Sequence, residues 1–200
     1  MKQYQLESLK EAPCISDSRW ETISALSIEC FPWQEFQYHP ETKVKAALCP
    51  SGVVFRYETK ETPVLARFRR PNSMVCLDSC MELFFCPQQS DPRYFNLEFN
   101  PFGTMLCGLG ASREDRCLLN PDQGQFGIET LITETGWALR FFIPFSFVET
   151  YFTKMEFPFR ANFYKCAEEV SRPHFGCWNE VKTPDPDFHQ SDFFGLITLK

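Results

Sequence analysis

From Lys43 onward hydrophobic and polar residues alternate with period two. Val44, Ala46 and Leu48 oppose Lys43 and Lys45; beyond Cys49-Pro50-Ser51-Gly52, Val53, Phe55 and Tyr57 oppose Arg56 and Glu58. Successive side chains of a strand point to opposite faces, so this pattern around turn residues predicts a β-hairpin. Residues 64–68 predict another short strand. In the stretch LDSCMELFF, residues 77–85, alternation puts Met81, Leu83 and Phe85 on one face and Cys80, Glu82, Phe84 and Cys86 on the other. In YFNLEFN, residues 94–100, it separates Phe95, Leu97 and Phe99 from Tyr94, Asn96, Glu98 and Asn100. Further strands are expected over 103–110, over 128–132, across Glu134-Thr135-Gly136 into 137–143, around 160–164 and over 196–199.

Residues 18–28 break the period. Trp20, Ile23, Ala25 and Leu26 fall roughly on one side of a helix that Ser18 would cap. No repeat, low-complexity segment or Gly/Ser linker divides the chain. The expectation is one domain over 18–200, preceded by an extension over 1–17. Nine or more short strands with one short N-terminal helix define an all-β chain. The architecture they predict is a two-sheet antiparallel β-sandwich, immunoglobulin- or jelly-roll-like.

Composition supports this. The chain has 22 Phe and 15 Pro, which suit packed sheets and disfavour long helices. The net charge is −6 and no basic stripe is present, which argues against a nucleic-acid partner. No apolar run is long enough to span a bilayer. The opening MKQYQLESLKEAPC lacks the apolar core of a secretory signal, so a cytoplasmic location is expected, or a secreted one if a leader has been removed. Ten cysteines without a CxxC pair then read as reduced thiols packed as small hydrophobes rather than as a disulfide framework or a structural zinc site.

Four segments carry a family resemblance in order and spacing: VCLDSCMELFFCP, YFNLEFNPFGT, RANFYKC and HFGCWNEVKTPDPDFHQSDFFGLITL. With the earlier ISALSIECFPW and the hairpin ending GWALRFFIP, they make residues 18–200 resemble carbohydrate-binding modules of family 9, particularly stand-alone proteins sharing the DOMON-type sandwich. The resemblance implies non-catalytic binding of an oligo- or polysaccharide of xylan or glucan type, linked to carbohydrate catabolism. It also implies a sugar held between two aromatic rings. The first ring's place is taken here by Cys76, and the second falls to Phe188. The acid of the first segment matches Glu82, and Glu98 stands where the family has an arginine. Asn162 and Tyr164 match a later amide-bearing strand. The double-Trp clamp of the xylan-associated members is not reproduced.

The residue types agree with that reading. A pyranose presents apolar C–H patches to aromatic rings and hydroxyls to carboxylates and amides. The candidate binding set is Glu82, Glu98, Asn100, Asn162, Tyr164, Trp178, Phe188 and His189, with His174 and His189 at the rim. Two rivals remain: a glycoside hydrolase using Glu82 and Glu98 as its acid pair, and a DOMON-like small-molecule-binding or structural protein with no sugar ligand. Structural calcium is a candidate cofactor, at Asp185, Asp187, His189 and Asp192 or at Asp78, Glu82 and Asp91. Haem, bound by some DOMON relatives, finds no ligand motif here.

Overall fold

The computed structural model describes residues 1–200. The chain forms thirteen strands. These are β1 Gln3–Ser8, β2 Leu26–Ile28, β3 Thr42–Cys49, β4 Gly52–Thr59, β5 Cys80–Cys86, β6 Tyr94–Phe99, β7 Met105–Gly110, β8 Cys117–Leu118, β9 Glu129–Ile132, β10 Trp137–Pro144, β11 Phe159–Ala167, β12 His174–Cys177 and β13 Gly195–Leu199. A short α-helix, α1, covers Phe145–Glu149. No helix is long and apolar enough to cross a membrane.

The strands follow one hydrogen-bonded path, β8-β7-β6-β5-β11-β13-β1-β3-β4-β10-β9, with β12 also on β11 and β2 also on β3. The path doubles back at β1 into two facing layers, the first from β8 to β13 and the second from β3 to β9. Alternation fills the space between them. Met81, Leu83 and Phe85 of β5 and Phe95, Leu97 and Phe99 of β6 meet Val53, Phe55 and Tyr57 of β4 and Leu139, Phe141 and Ile143 of β10. Phe99 stacks on Phe141 at 4.5 Å, and Phe55 approaches Phe163 of β11 at 6.1 Å. The Tyr57 hydroxyl donates to the Glu82 carbonyl at 2.8 Å, satisfying a polar group across the core. Each buried aromatic contributes about 1.5–3 kcal/mol through burial, so these rings hold the two layers together.

Three expectations change. The segment 1–17 is not an appendage: β1 lies between the layers and pairs in parallel with both β13 and β3, the exceptions in an otherwise antiparallel fold. Its sequence QYQLES buries Tyr4 and Leu6, and the Tyr4 hydroxyl donates to Ser24 O and accepts from Ala46 N. The helix expected over 18–28 shrinks to a 3-10 turn, Ser18–Thr22, capped by Asp17, which accepts from Arg19 N. Ile23 is already extended, and Leu26 and Ile28 pair with β3 at Val44 and Thr42. The β-branched isoleucines favour that outcome. The segment 64–68 joins no ladder. Leu65 N donates to Ser79 Oγ, and Arg67 N and Phe68 N donate to Asp78 Oδ2. Side chains of the Asp-Ser pair thus substitute for a neighbouring strand.

Candidate functional site

The outer face of the first layer is the one alternation marks as polar. β5 turns Cys80, Glu82 and Phe84 outward, β6 turns Tyr94, Asn96 and Glu98, and β11 turns Asn162, Tyr164 and Cys166. This face is not an open hollow. Trp33, Val75, Val181, Phe188 and Phe194 lie over it and form a second apolar cluster with Phe84, Tyr94, Leu106 and Tyr164. What remains is a cleft of about 60 Å³, room for a few waters against the roughly 300–1,000 Å³ of drug-sized ligand pockets. Glu82 and Glu98 form its floor, with Phe84 and Leu106; Met74, Cys76, Arg113, Arg116, Glu168, Phe188 and His189 complete the walls.

Four of the eight expected residues therefore meet: Glu82, Glu98, Phe188 and His189. Tyr164 lies one layer beneath, stacked on Phe188 at 4.1 Å and donating its hydroxyl to Phe188 O. It positions that ring and is itself fully buried. The other three belong to the scaffold. Asn100 bridges Phe68 O and Asp78 and accepts from Phe102 N and Thr104 N, which shapes a turn. Asn162 donates to Asn179 O and accepts from Asn179 N, tying β11 to the segment after β12. Trp178 turns into the inter-layer core against Phe163. There it lies over Gly195, where a Cβ would come within 2.3 Å of the indole.

His174 is not at the rim either. Fully buried, it shares a network with Lys165 and Glu61, in which Lys165 Nζ stands 2.9 Å from His174 Nε2 and 3.1 Å from Glu61. Three of the six carboxylates considered for calcium are taken up by arginines: Asp78 by Arg67, Asp91 by Arg93 and Asp187 by Arg113. Asp185 and Asp192 are exposed.

Electrostatics in the cleft follow from burial. Glu82 and Glu98 stand directly opposite each other on β5 and β6, the arrangement in which like charges repel most. Burial, and then the charge of Glu98, raise the Glu82 carboxyl well above the usual carboxylate range. Burial also lifts Glu98 to about 7, opposed by Arg116 and by the Asn96 amide that donates to it at 2.8 Å. Burial, then Arg113 and Arg116, depress His189 to about 3, so its ring is neutral. Arg116 Nη1 lies 3.3 Å from His189 Nε2, so Nε2 accepts and Nδ1–H donates to the Tyr94 hydroxyl at 2.9 Å. The cleft therefore offers a neutral carboxyl that both donates and accepts, a second carboxyl poised near neutrality, and two guanidinium donors. Sugar hydroxyls, each donor and acceptor, match such a mixed set.

The sequence reading missed Arg113, Arg116 and Glu168. The arginines come from SREDR, residues 112–116, between β7 and β8, and Glu168 follows β11. These segments have no period to read. The usable signal was charge density in a loop abutting the acidic strands.

The family 9 carbohydrate-binding profile matches residues 16–199, and the chain belongs to that family. No curated protein matches the sequence. Among solved structures it is similar to a candidate carbohydrate-binding protein from Bacteroides uniformis ATCC 8492, with a TM-score of 0.86 at 24% identity over 100% of this chain and 99% of that one. It is also similar to a family 9 carbohydrate-binding module from Caldicellulosiruptor kristjanssonii in complex with glucose. That match has a TM-score of 0.68 at 15% identity, over 100% of this chain and 96% of that one. A family 9 module from the same organism in complex with cellotriose gives 0.69 at 15% identity, covering 100% and 94%.

Proposed function

We propose that this family 9 protein binds a saccharide without cleaving it, at the cleft floored by Glu82 and Glu98. The observation that carries the reading is convergence: two buried carboxyls, Arg113, Arg116 and the Phe188–His189 pair line one concavity. The structural relatives carrying glucose and cellotriose support the ligand class. As it stands the cleft has room for only a few waters, so even a single terminal sugar enters only once the exposed Met74 and the half-exposed Arg113 swing outward, and the flank of a long chain would need a larger opening still. Glucan- and xylan-type oligosaccharides are the candidate sources of that terminus, and a supporting role in their catabolism follows from the reading. Hydrolysis fits less well. Glu82 and Glu98 stand side by side on adjacent strands, whereas a glycosidase sets its two carboxyls on either side of the scissile bond.

Calorimetric titration with glucose, cellotriose and xylotriose tests this. A saturable 1:1 heat with at least one sugar, lost in Glu82→Gln while the fold is retained, supports it. Absence of heat with all three, or heat unchanged by Glu82→Gln, overturns it. Release of reducing ends from the oligosaccharides, lost in the same variant, would establish the hydrolase instead.

A further inference from the structure

Behind Glu82 the cleft floor holds two thiols that saccharide recognition does not use. Cys80 of β5 and Cys166 of β11 are directly opposite each other in the ladder, and Glu82 lies two residues along β5 on the same face. The two sulfurs and one Glu82 carboxylate oxygen all lie within 4.8 Å of one another. Cys166 Sγ donates to Glu82 Oε1 at 2.9 Å. Both thiols are essentially inaccessible to solvent. Thiols are weak hydrogen-bonding groups, so two of them bring little to a polyhydroxyl ligand.

The donor set is specific. Calcium and magnesium take oxygen ligands and do not suit two sulfurs. Thiolates with one carboxylate suit zinc-type cations, which bind sulfur at about 2.3 Å and oxygen at about 2.0–2.2 Å in tetrahedral geometry. Those lengths put paired sulfurs about 3.8 Å apart and each sulfur about 3.5 Å from the oxygen, so the three atoms need shift by about 1 Å or less. Two paired strands hold all three residues, a more rigid support than loops give. We propose that Cys80, Cys166 and Glu82 bind a thiophilic divalent cation of the zinc type, with its fourth coordination position turned towards the cleft.

The charge balance is explicit. Burial keeps both thiols and the Glu82 carboxyl protonated in the free protein. A divalent cation displaces the two thiol protons and the carboxyl proton to solvent, and the resulting site carries one negative charge. The positive charge of Arg113, which already acts on Glu82, lies on the compensating side. Entry is along the cleft past Glu82, which lines both sites. The site is read out in the absence of any sugar, so its fate is independent of the saccharide proposal.

The test is titration of the reduced full-length protein with cobalt(II). It is run in a Cys30→Ser/Cys177→Ser background, because those two cysteines form another adjacent thiol pair, joined by a β-bridge. The expected result is one equivalent bound, a sulfur-to-cobalt charge-transfer absorption, displacement by zinc and release of three protons. Cys80→Ser and Cys166→Ser should each weaken binding at least tenfold and diminish the absorption. Glu82→Gln should weaken binding at least tenfold while retaining the cobalt–sulfur absorption. No charge-transfer absorption in the background protein, or one indifferent to Cys80→Ser and Cys166→Ser, overturns the proposal. Should either serine variant fail to fold, alkylation of the background protein in graded urea decides. Zinc should slow labelling of Cys80 and Cys166 at least tenfold, and equal rates with and without zinc overturn the proposal.

Discussion

Glu98→Gln measures what it costs to hold two carboxyls side by side away from water. Glu82 and Glu98 are 3% and 5% exposed, and burial lifts Glu98 from 4.5 to about 7 although Arg116 lies 3.6 Å away. Between those two values the native protein keeps a proton that the unfolded chain releases. More protons are then bound in the native state, and the free energy of unfolding falls as pH rises through this window. The interval from 4.5 to about 7 corresponds to about 3 kcal/mol, fully lost above pH 7. Glutamine has nothing to ionise and keeps an oxygen for the Asn96 amide. It also removes the charge that hinders ionisation of Glu82, an effect of the same sign. The assay is urea unfolding of both proteins in steps from pH 4.5 to 8. His174 and His189, both depressed to about 3, add stability as pH rises towards 6.5, but they do so in both proteins and cancel in the difference. The stability of Glu98→Gln relative to the parent should climb by about 3 kcal/mol and level off above pH 7. A flat or falling difference would mean instead that Glu98 is ionised throughout and held by Arg116.

Three further outcomes are expected. Lys165→Met, which strands the buried Glu61 and His174 without their cation, should cost about 3–5 kcal/mol in urea unfolding, and adding Glu61→Gln should recover part of the loss. Trp178→Ala should cost about 3–5 kcal/mol because the indole packs between the layers, while leaving the affinity for a bound sugar at the parent value in titration calorimetry. Alkylation at pH 7 followed by peptide mass mapping should label the exposed Cys14 and Cys117. It should also label half-buried Cys30, whose thiol is lowered to about 6 by its hydrogen bond with Cys177 and by Lys2 at 3.7 Å; failure of Cys30 to react ahead of the buried thiols would contradict that environment.

Period two located most of the strands because one face of each had to be apolar. That signal is local, and it read Met81, Leu83 and Phe85 as core and Glu82 as facing the other way. It did not say that the other face would be covered as well. The cover over Tyr164 and Phe188 is built by Trp33, Phe175 and Phe194, which come from segments far from β5 in sequence. Trp178 shows a related limit. It follows β12 immediately, so alternation alone leaves its side open, and the decision falls to Gly195, whose missing side chain makes room for the indole. β1 was readable in QYQLES, where Tyr4 and Leu6 alternate with glutamines, but two parallel partners distant in sequence are set by the fold. The helix over 18–28 failed for a local reason: Asp17 closes one short turn, and Ile23 then adopts extended backbone. Within the site, the strand residues Glu82 and Glu98 were legible. Arg113 and Arg116 reach the cleft from a connection without periodicity, and only the three-dimensional path brings them there.

The most direct measurement of the central claim is a crystal structure of the protein soaked with glucose. One sugar is expected in the cleft, its hydroxyls within hydrogen-bonding distance of the Glu82 and Glu98 carboxyls and its ring edge against Phe188, with Arg113 and Met74 displaced outward. A sugar bound elsewhere, such as on the charged face around Lys43, Lys45 and Arg56, with the cleft unchanged, would contradict it.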